Sequence, residues 1–453
     1  MPIVGKRGTK LMFYRDPIAY HRHVFQTYGT LASFTAGGKK LLAYGPEYNR
    51  QIFNQPDVFY ADRVAAPGPA GTALHRLGFG LNTMNGDLHR QQRRLMLPAF
   101  HRQAIEGHRN AMAATTYQLL ERWPAGKIYD LAHVMNQLTL CIVSKALFGI
   151  DATERVDTLG HLIARWIEMN TRPHIHMFPI DLPGTPLRKL IQLSDHVESV
   201  IREILRSKRN HEDEQRDVLS MLVQAHDEDG TRMSEDELIG HTTLLFLAGF
   251  ETSAVSLTWT LFLLAQHPRV MADVVDELMA TLGGNAPTIE QVRELPLLDR
   301  VIKESLRLLP PAIHGGRIAV QPFAMGGYEF PVGTKVMYSE FMTHRLPDIY
   351  HEPDRFLPKR WEGVEPVPFA YIPFLGGPRR CLGAEFALLE MKLVLAIMLQ
   401  RYRFSIPANA QIDSAVRFTL VPASGIPMLF APRDRQFAKA PIRGNIHQLV
   451  DLS

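Results

Sequence analysis

Between Thr242 and Gln266 the chain runs through apolar and small polar residues with a single charge, Glu251, near its middle. A run of this length matches a bilayer span. The central carboxylate, the neighbouring Gly249 and the lack of a second comparable run point instead to a long helix buried inside a large domain. Before it, residues 11–60 mix short apolar runs with turn signals such as Ala36-Gly37-Gly38-Lys39 and Tyr44-Gly45-Pro46, which predicts a helix and then small strands. Residues 61–86 are rich in Gly, Pro and Ala yet keep Leu74, Leu77, Phe79 and Leu81, the signature of a long functional loop. From Asp87 to about Leu282 the periodicity is helical, with breaks at Trp123-Pro124-Ala125-Gly126 and between Pro173 and Pro186.

The last third changes character. Helical stretches at 288–309 and 384–400 bracket a Pro/Gly-rich region holding β-like pieces such as Lys335-Val336-Met337-Tyr338, and strands return at 416–421 and 427–430. No internal repeat or domain boundary stands out. The expectation is a single, mostly α (α+β) domain over residues 1–453, with small sheets.

Composition narrows the chemistry. With 46% apolar and 21% charged residues in 453, the chain can bury a core deep enough to hide a cofactor. A net charge of +4 is too small to suggest nucleic acid. Two cysteines, Cys141 and Cys381, exclude a disulfide framework and a Cys-rich zinc site, and fit a reducing compartment. The opening residues Met1–Gly8 hold no apolar signal-peptide core, so no leader or membrane anchor is expected and the setting is read as cytoplasmic.

Chemistry concentrates at Phe374-Leu375-Gly376-Gly377-Pro378-Arg379-Arg380-Cys381-Leu382-Gly383, directly before the helical run from Ala384. A cysteine just ahead of a helix N-terminus, beside two arginines, is favoured as thiolate. The glycines let backbone approach a flat, bulky partner. Haem iron is such a partner, and a thiolate axial ligand favours O–O cleavage. Cys141, within the helical run Leu138–Phe148, reads as a buried structural cysteine.

The segment fits Phe-x-x-Gly-x-Arg-x-Cys-x-Gly at all five fixed positions, Phe374, Gly377, Arg379, Cys381 and Gly383. At residue frequencies near one in twenty, chance gives such a match in about one chain in ten thousand. Here the sequence resembles the cytochrome P450 family. The resemblance implies a helical prism with small sheets, haem b, O2 as co-substrate, Cys381 as the iron ligand, Phe374 packed near the sulfur and Arg379 on a haem propionate.

Further motifs follow in the family's order. Ala248-Gly249-Phe250-Glu251-Thr252-Ser253 resembles the oxygen-activation motif. A mid-helix Thr also commonly satisfies itself on the carbonyl four residues back. An adjacent acid and alcohol beside a glycine that loosens the helix can hold water and relay protons, so Glu251 and Thr252 are the candidate catalytic pair. Glu304 and Arg307, three apart, are in isolation an ordinary helix-surface ion pair. By resemblance Glu304, Arg307 and Arg355, the last within Pro353-Asp354-Arg355-Phe356, form a buried structural charge network. His89 and Arg93, four apart, read either as a basic solvated stretch or, by resemblance, as propionate ligands with Arg317 and the weaker candidate His344.

The resemblance implies a small lipophilic substrate, with a terpenoid or steroid favoured over a fatty acid. Phe79, Leu81, Leu244, Leu245, Ile313, Leu420 and Val421 are its expected wall. The string from Phe178 to Thr185 resembles a segment of family branches that oxidise terpenoid acids. Electrons are expected from a separate ferredoxin or flavodoxin with an NAD(P)H-dependent reductase, steered by Arg90, Arg94, Arg380 and Lys392. Two alternatives stay open: a peroxygenase or isomerase that needs no external electrons, and a non-enzymatic haem sensor or electron carrier.

Overall fold

The computed structural model describes residues 2–4, 12–34, 39–62, 68–149, 154–170, 172, 175, 179–210 and 217–453, with the backbone alone at 154–158. The helices that matter here are α1 (Pro17–Tyr28), α2 (Pro46–Asn54), α3 (Gly86–Met96), α4 (Leu131–Phe148), α5 (Pro186–Asn210), α6 (Glu235–Gln266), α7 (Pro296–Leu308) and α8 (Ala384–Arg401). The chain divides into two compact units. One comprises residues 1–60, 116–136 and 252–453; the other comprises 61–115 and 137–251.

The first unit holds the small sheets. Among the described residues the first nine strands along the chain are β1 (Leu31–Ser33), β2 (Lys40–Ala43), β3 (Phe59–Ala61), β4 (Lys127–Asp130), β5 (Gly315–Ala319), β6 (Phe323–Met325), β7 (Tyr328–Phe330), β8 (Lys335–Tyr338) and β9 (Tyr402–Ser405), and five of them form a sheet in the order β1-β2-β8-β5-β3. Strands β2 and β8 run parallel, while β5 pairs antiparallel to β8 with Arg317 opposite Val336. Leu41, Phe53, Val336, Tyr338 and Ile372 close the core around this sheet. A hairpin of β10 (Ser414–Val416) and β11 (Leu420–Pro422) stands apart. Leu420 N–H bonds the Pro311 carbonyl, which ties the hairpin to the segment leading into β5.

Helix α6 is the expected buried helix, longer at its N-terminal end than the apolar run alone indicates. It starts with a reciprocal cap: Ser234 N–H donates to Glu237 Oε2 at 2.7 Å, and Glu237 N–H donates to Ser234 Oγ at 3.3 Å. Glu235, Asp236 and Glu237 set negative charge against the positive end of the helix dipole. Inside, the hydroxyls of Thr242, Thr243, Ser256, Thr258 and Thr260 each donate to the carbonyl four residues back, which removes the desolvation penalty of burying them. Helices α4 and α6 are both long and apolar enough to cross a membrane, and 72% of each apolar window lies inside the protein.

Candidate active site

The loop around Cys381 is fixed by backbone that few residues tolerate. Leu375 and Gly377 both have positive φ, at 59° and 63°. A Cβ on Gly377 would fall 2.4 Å from the Phe53 carbonyl oxygen of α2, so only glycine fits. Cys381 N–H then donates to the Phe374 carbonyl at 2.9 Å, and Arg380 N–H to Gly377 at 3.0 Å, closing the loop just before α8. Gly383 occupies the N-cap of α8 without a side-chain cap, and a Cβ there would meet nothing within 4 Å. The outcome is an exposed Cys381, although cysteine is among the residue types most often buried. An exposed sulfur near a helix start, followed two residues on by a glycine, would suit a thiolate ligand to haem iron. Cys141 is buried in α4 as expected.

Two cations stand near this loop in the same unit. Arg317 is nearly buried on β5, donates to the Gly316 carbonyl at 2.9 Å, and lies 5.3 Å from the centre of the Tyr338 ring. Burial pushes the Tyr338 phenol up to about 12, and the charges of Arg317 and Arg379 pull against that rise, so both arginines act on one ring. Glu340 lies in the same neighbourhood. Burial raises its carboxyl to about 8, with Arg317 opposing.

Glu304 and Arg307 are fully buried on α7 and pair through both carboxylate oxygens, at 2.8 and 2.9 Å. Arg307 also donates to the carbonyls of His344, Pro353 and Arg355. Burial alone would raise the Glu304 carboxyl; the Arg307 and Arg360 guanidiniums outweigh it and hold it below the usual range. The third charge of the network is Arg360, 2.8 Å from Glu304 Oε1, and not Arg355. Arg355 contributes only its carbonyl, while its side chain is 42% exposed and pairs with Glu352 and Asp451. Both Pro353-Asp354-Arg355-Phe356 and Pro358-Lys359-Arg360-Trp361 read Pro-x-Arg-aromatic, and only the second brings its Arg and Trp to Glu304. His344 also takes a different task from a propionate cation. Its ring is buried and held neutral by desolvation, and Nε2 accepts from Ile372 N–H at 2.8 Å.

On α6, Ala248 is exposed although most of its neighbours are buried, and Gly249, Glu251 and Thr252 are half-buried. Positions 248, 251 and 252 fall on one face of a helix. The helix stays continuous through Gly249. That glycine serves close packing: a Cβ would sit 3.2 Å from both Val143 methyls of α4. Glu390 on α8 was not among the sequence candidates. It is fully buried, neither oxygen has a well-formed hydrogen bond, and burial raises it to about 8 despite the nearby Ser253 hydroxyl. Its sole sequence signal was a lone Glu inside the otherwise apolar stretch Phe386–Met398 that also carries Lys392.

In the second unit, His89 is buried and Arg93 half-buried one turn apart on α3. Of the expected wall residues, Phe79 and Leu244 here, and Val421 in the first unit, keep exposed surface; Leu81, Leu245, Ile313 and Leu420 lie in the cores. Phe178 and residues 63–67 lie outside the described residues. The four rim cations expected to steer a partner each hold an acid. Arg90 pairs with Asp87, Arg94 with Asp227, Arg380 with Glu385, and Lys392 with Asp299 at 2.7 Å.

The family profile described as Cytochrome P450 matches residues 7–428. Cyclooctat-9-en-7-ol 5-monooxygenase of Streptomyces melanosporofaciens is 30% identical over 406 residues, covering 87% of each chain. Cyclooctatin synthase of the same organism is 33% identical over 436 residues, covering 94% of each. Among solved structures, the cyanobacterial CYP120A1 with retinoic acid bound superposes with a TM-score of 0.80 at 25% identity, over 92% of this chain and 95% of that one.

Proposed function

The chain belongs to the cytochrome P450 family of haem-iron, O2-using monooxygenases, and on that premise we propose that it inserts one oxygen atom into a terpenoid. The observation that carries the reading is the exposed Cys381 in a loop closed on Phe374, which suits a thiolate ligand to haem b. Relatives named cyclooctat-9-en-7-ol 5-monooxygenase and cyclooctatin synthase support the substrate class. Apolar surface offered by Phe79 and Leu244 within the second unit suits a lipophilic molecule.

When bound, the haem supplies O2 activation. The chain's own residues supply the rest. Cys381 would offer its sulfur to the iron, and Arg317 and Arg379 would supply cations for the propionates; in the second unit His89 and Arg93 are separate candidates for the same task. Thr252 holds a proton on its hydroxyl and Glu251 brings the next one to it. Glu304, Arg307 and Arg360 hold the polypeptide that carries the cysteine loop. Electrons come from a ferredoxin or flavodoxin with an NAD(P)H-dependent reductase, in the cytoplasm. Because Arg90, Arg94, Arg380 and Lys392 are already paired, steering of an acidic partner is weaker than four free cations would give.

The test is the reduced carbon monoxide spectrum of purified protein. Wild type and Cys141→Ala give the strongly red-shifted thiolate band, and Cys381→Ala lacks it. A wild type without that band sinks the reading. Reconstitution with ferredoxin, reductase and a panel of cyclic terpenoids then reports oxygen insertion, and dependence of product on the electron donors separates it from a peroxygenase.

A further inference from the structure

Tyr44, His21 and His314 form a hydrogen-bonded row inside the first unit. His21 Nδ1 lies 2.8 Å from Tyr44 Oη, and His21 Nε2 lies 3.1 Å from His314 Nδ1. Tyr44 and His21 are 1% and 0% exposed, whereas His314 keeps part of its surface open. Phe13 packs edge-on to His21 and tilted over His314, with ring centres 6.1 and 5.5 Å away, which shields the row. Desolvation keeps both imidazoles neutral: His314 is brought down to about 4, and His21 falls well below its ordinary value, with His314 adding to the effect.

Proton counting follows from neutrality. Two neutral imidazoles share two N–H groups among four nitrogens. The His21–His314 contact needs one proton, on one side only. In the first arrangement Tyr44 donates to His21 Nδ1, His21 Nε2–H donates to His314 Nδ1, and His314 Nε2–H points outward as a donor. In the second His314 Nδ1–H donates to His21 Nε2, His21 Nδ1–H donates to Tyr44 Oη, and His314 Nε2 is an outward lone pair. Tyr44 serves either arrangement because its hydroxyl both donates and accepts. The outer nitrogen of His314 has no hydrogen-bond partner among the described residues.

The backbone on which His314 stands is held from several sides. The Ile313 carbonyl accepts from Ser339 Oγ at 2.6 Å and from Phe341 N–H, and the Pro311 carbonyl accepts from Leu420 N–H at 2.9 Å. Ile313 itself is 4% exposed, while Ala312 is exposed, so the open side of this segment is the one that alternation gives to Ala312 and His314. A rigidly held imidazole, backed by a buried relay and open at one nitrogen beside an apolar residue, is built to meet one polar group on an otherwise greasy molecule.

We propose that His314 reads an uncharged oxygen on the substrate, so that the enzyme selects lipophilic alcohols over the parent hydrocarbons, with His21 and Tyr44 setting its proton. This rests on the monooxygenase reading above. A hydroxyl both donates and accepts and therefore meets His314 in either arrangement. A hydrocarbon leaves the outer nitrogen unpaired and desolvated, and sites that lose a hydrogen-bond partner in this way discriminate strongly.

The experiment titrates haem-loaded protein with matched cyclic terpene alcohols and their deoxy parents, reading the low-to-high-spin shift. Wild type binds the alcohol about ten- to a hundredfold more tightly. His314→Phe brings the ratio near one by weakening the alcohol alone, with an unchanged melting temperature and carbon monoxide band; His314→Asn restores part of the ratio. His21→Phe lowers it, since His314 loses its partner. A ratio near one in wild type, or a ratio unmoved in His314→Phe, overturns the proposal. So does tighter binding of the carboxylate analogue than of the alcohol. Loss of the thiolate carbon monoxide band in wild type overturns the monooxygenase reading instead, and the two failures are thereby distinguished.

Discussion

Arg360 Nε stands 2.8 Å from Oε1 of Glu304, a carboxylate that already binds Arg307 through both of its oxygens. Removing Arg360 strips one of two cations from a fully buried anion, a change that typically costs about 3–5 kcal/mol. Arg355→Ala breaks only exposed pairs, which are worth about 0–1 kcal/mol. Denaturant unfolding of Arg360→Leu and Arg355→Ala therefore gives a large loss for the first and almost none for the second. The pH dependence has a definite sign. The Glu304 carboxyl is depressed in the fold, so its contribution is present above its ordinary value of 4.5 and is lost as pH falls through the lower folded value. Arg360→Leu shrinks that acid-side loss. Equal effects of the two substitutions at all pH values would return Arg355 to the network.

That pair also shows where the sequence was legible. The cysteine loop could be read because each fixed position answers a local demand: Gly377 meets the Phe53 carbonyl, and Cys381 closes on Phe374. Helix α6 could be read because burial on all sides leaves an uninterrupted apolar run. Arg360 was missed because two Pro-x-Arg-aromatic strings lie five residues apart and nothing local tells them apart. The rim cations were misjudged for a related reason. Asp227 and Asp299 lie 133 and 93 positions from Arg94 and Lys392, and pairing over such separations leaves no local trace. The row from Tyr44 through His21 to His314 is likewise assembled only by folding, across 293 positions at its longest step.

Gly249 tests whether helix α6 needs a loose point or a narrow one. A Cβ would lie 3.2 Å from both Val143 methyls, tight but relieved by a small shift of one side chain. Against that, Ala gains about 1 kcal/mol of helix propensity over Gly. The two nearly cancel, so Gly249→Ala is expected to change stability by less than about 1 kcal/mol. Gly249→Val adds two methyls to the same gap and should cost about 1–3 kcal/mol by overpacking. Chemical denaturation measures both; a large loss in the alanine variant would mean that flexibility, and not clearance, is what the glycine provides.

Thr252 and Glu251 are separated by their consequences for electron use. Thr252→Ala removes the hydroxyl that holds the proton, so reducing equivalents are expected to leave as peroxide, and product per NAD(P)H falls at least about tenfold. Glu251→Gln keeps the shape and removes the ionisable group, so turnover slows while haem content and the carbon monoxide band persist. Product and peroxide are measured together against NAD(P)H consumed. Unchanged coupling in Thr252→Ala would remove it from the proton route.

Glu340 and Glu390 give the alkaline side of the stability profile. Burial raises both to about 8 from an ordinary 4.5, Arg317 partly opposing at the first and Ser253 at the second. A carboxyl whose folded value is raised binds more protons folded than unfolded across that interval. Its stabilising contribution is therefore complete below 4.5, falls as pH rises, and is exhausted once pH passes about 8. Each group takes on the order of 1.4 kcal/mol per pH unit from the wild type over this window. Glutamine does not titrate, so Glu390→Gln and Glu340→Gln should each gain on wild type as unfolding is measured from pH 5 to pH 8, and hold a constant difference above it. Because both carboxyls reach about 8, the two wild-type-minus-variant differences should change over the same pH window and with the same slope. Parallel stability curves for wild type and both variants would show that neither carboxyl is held neutral by the fold.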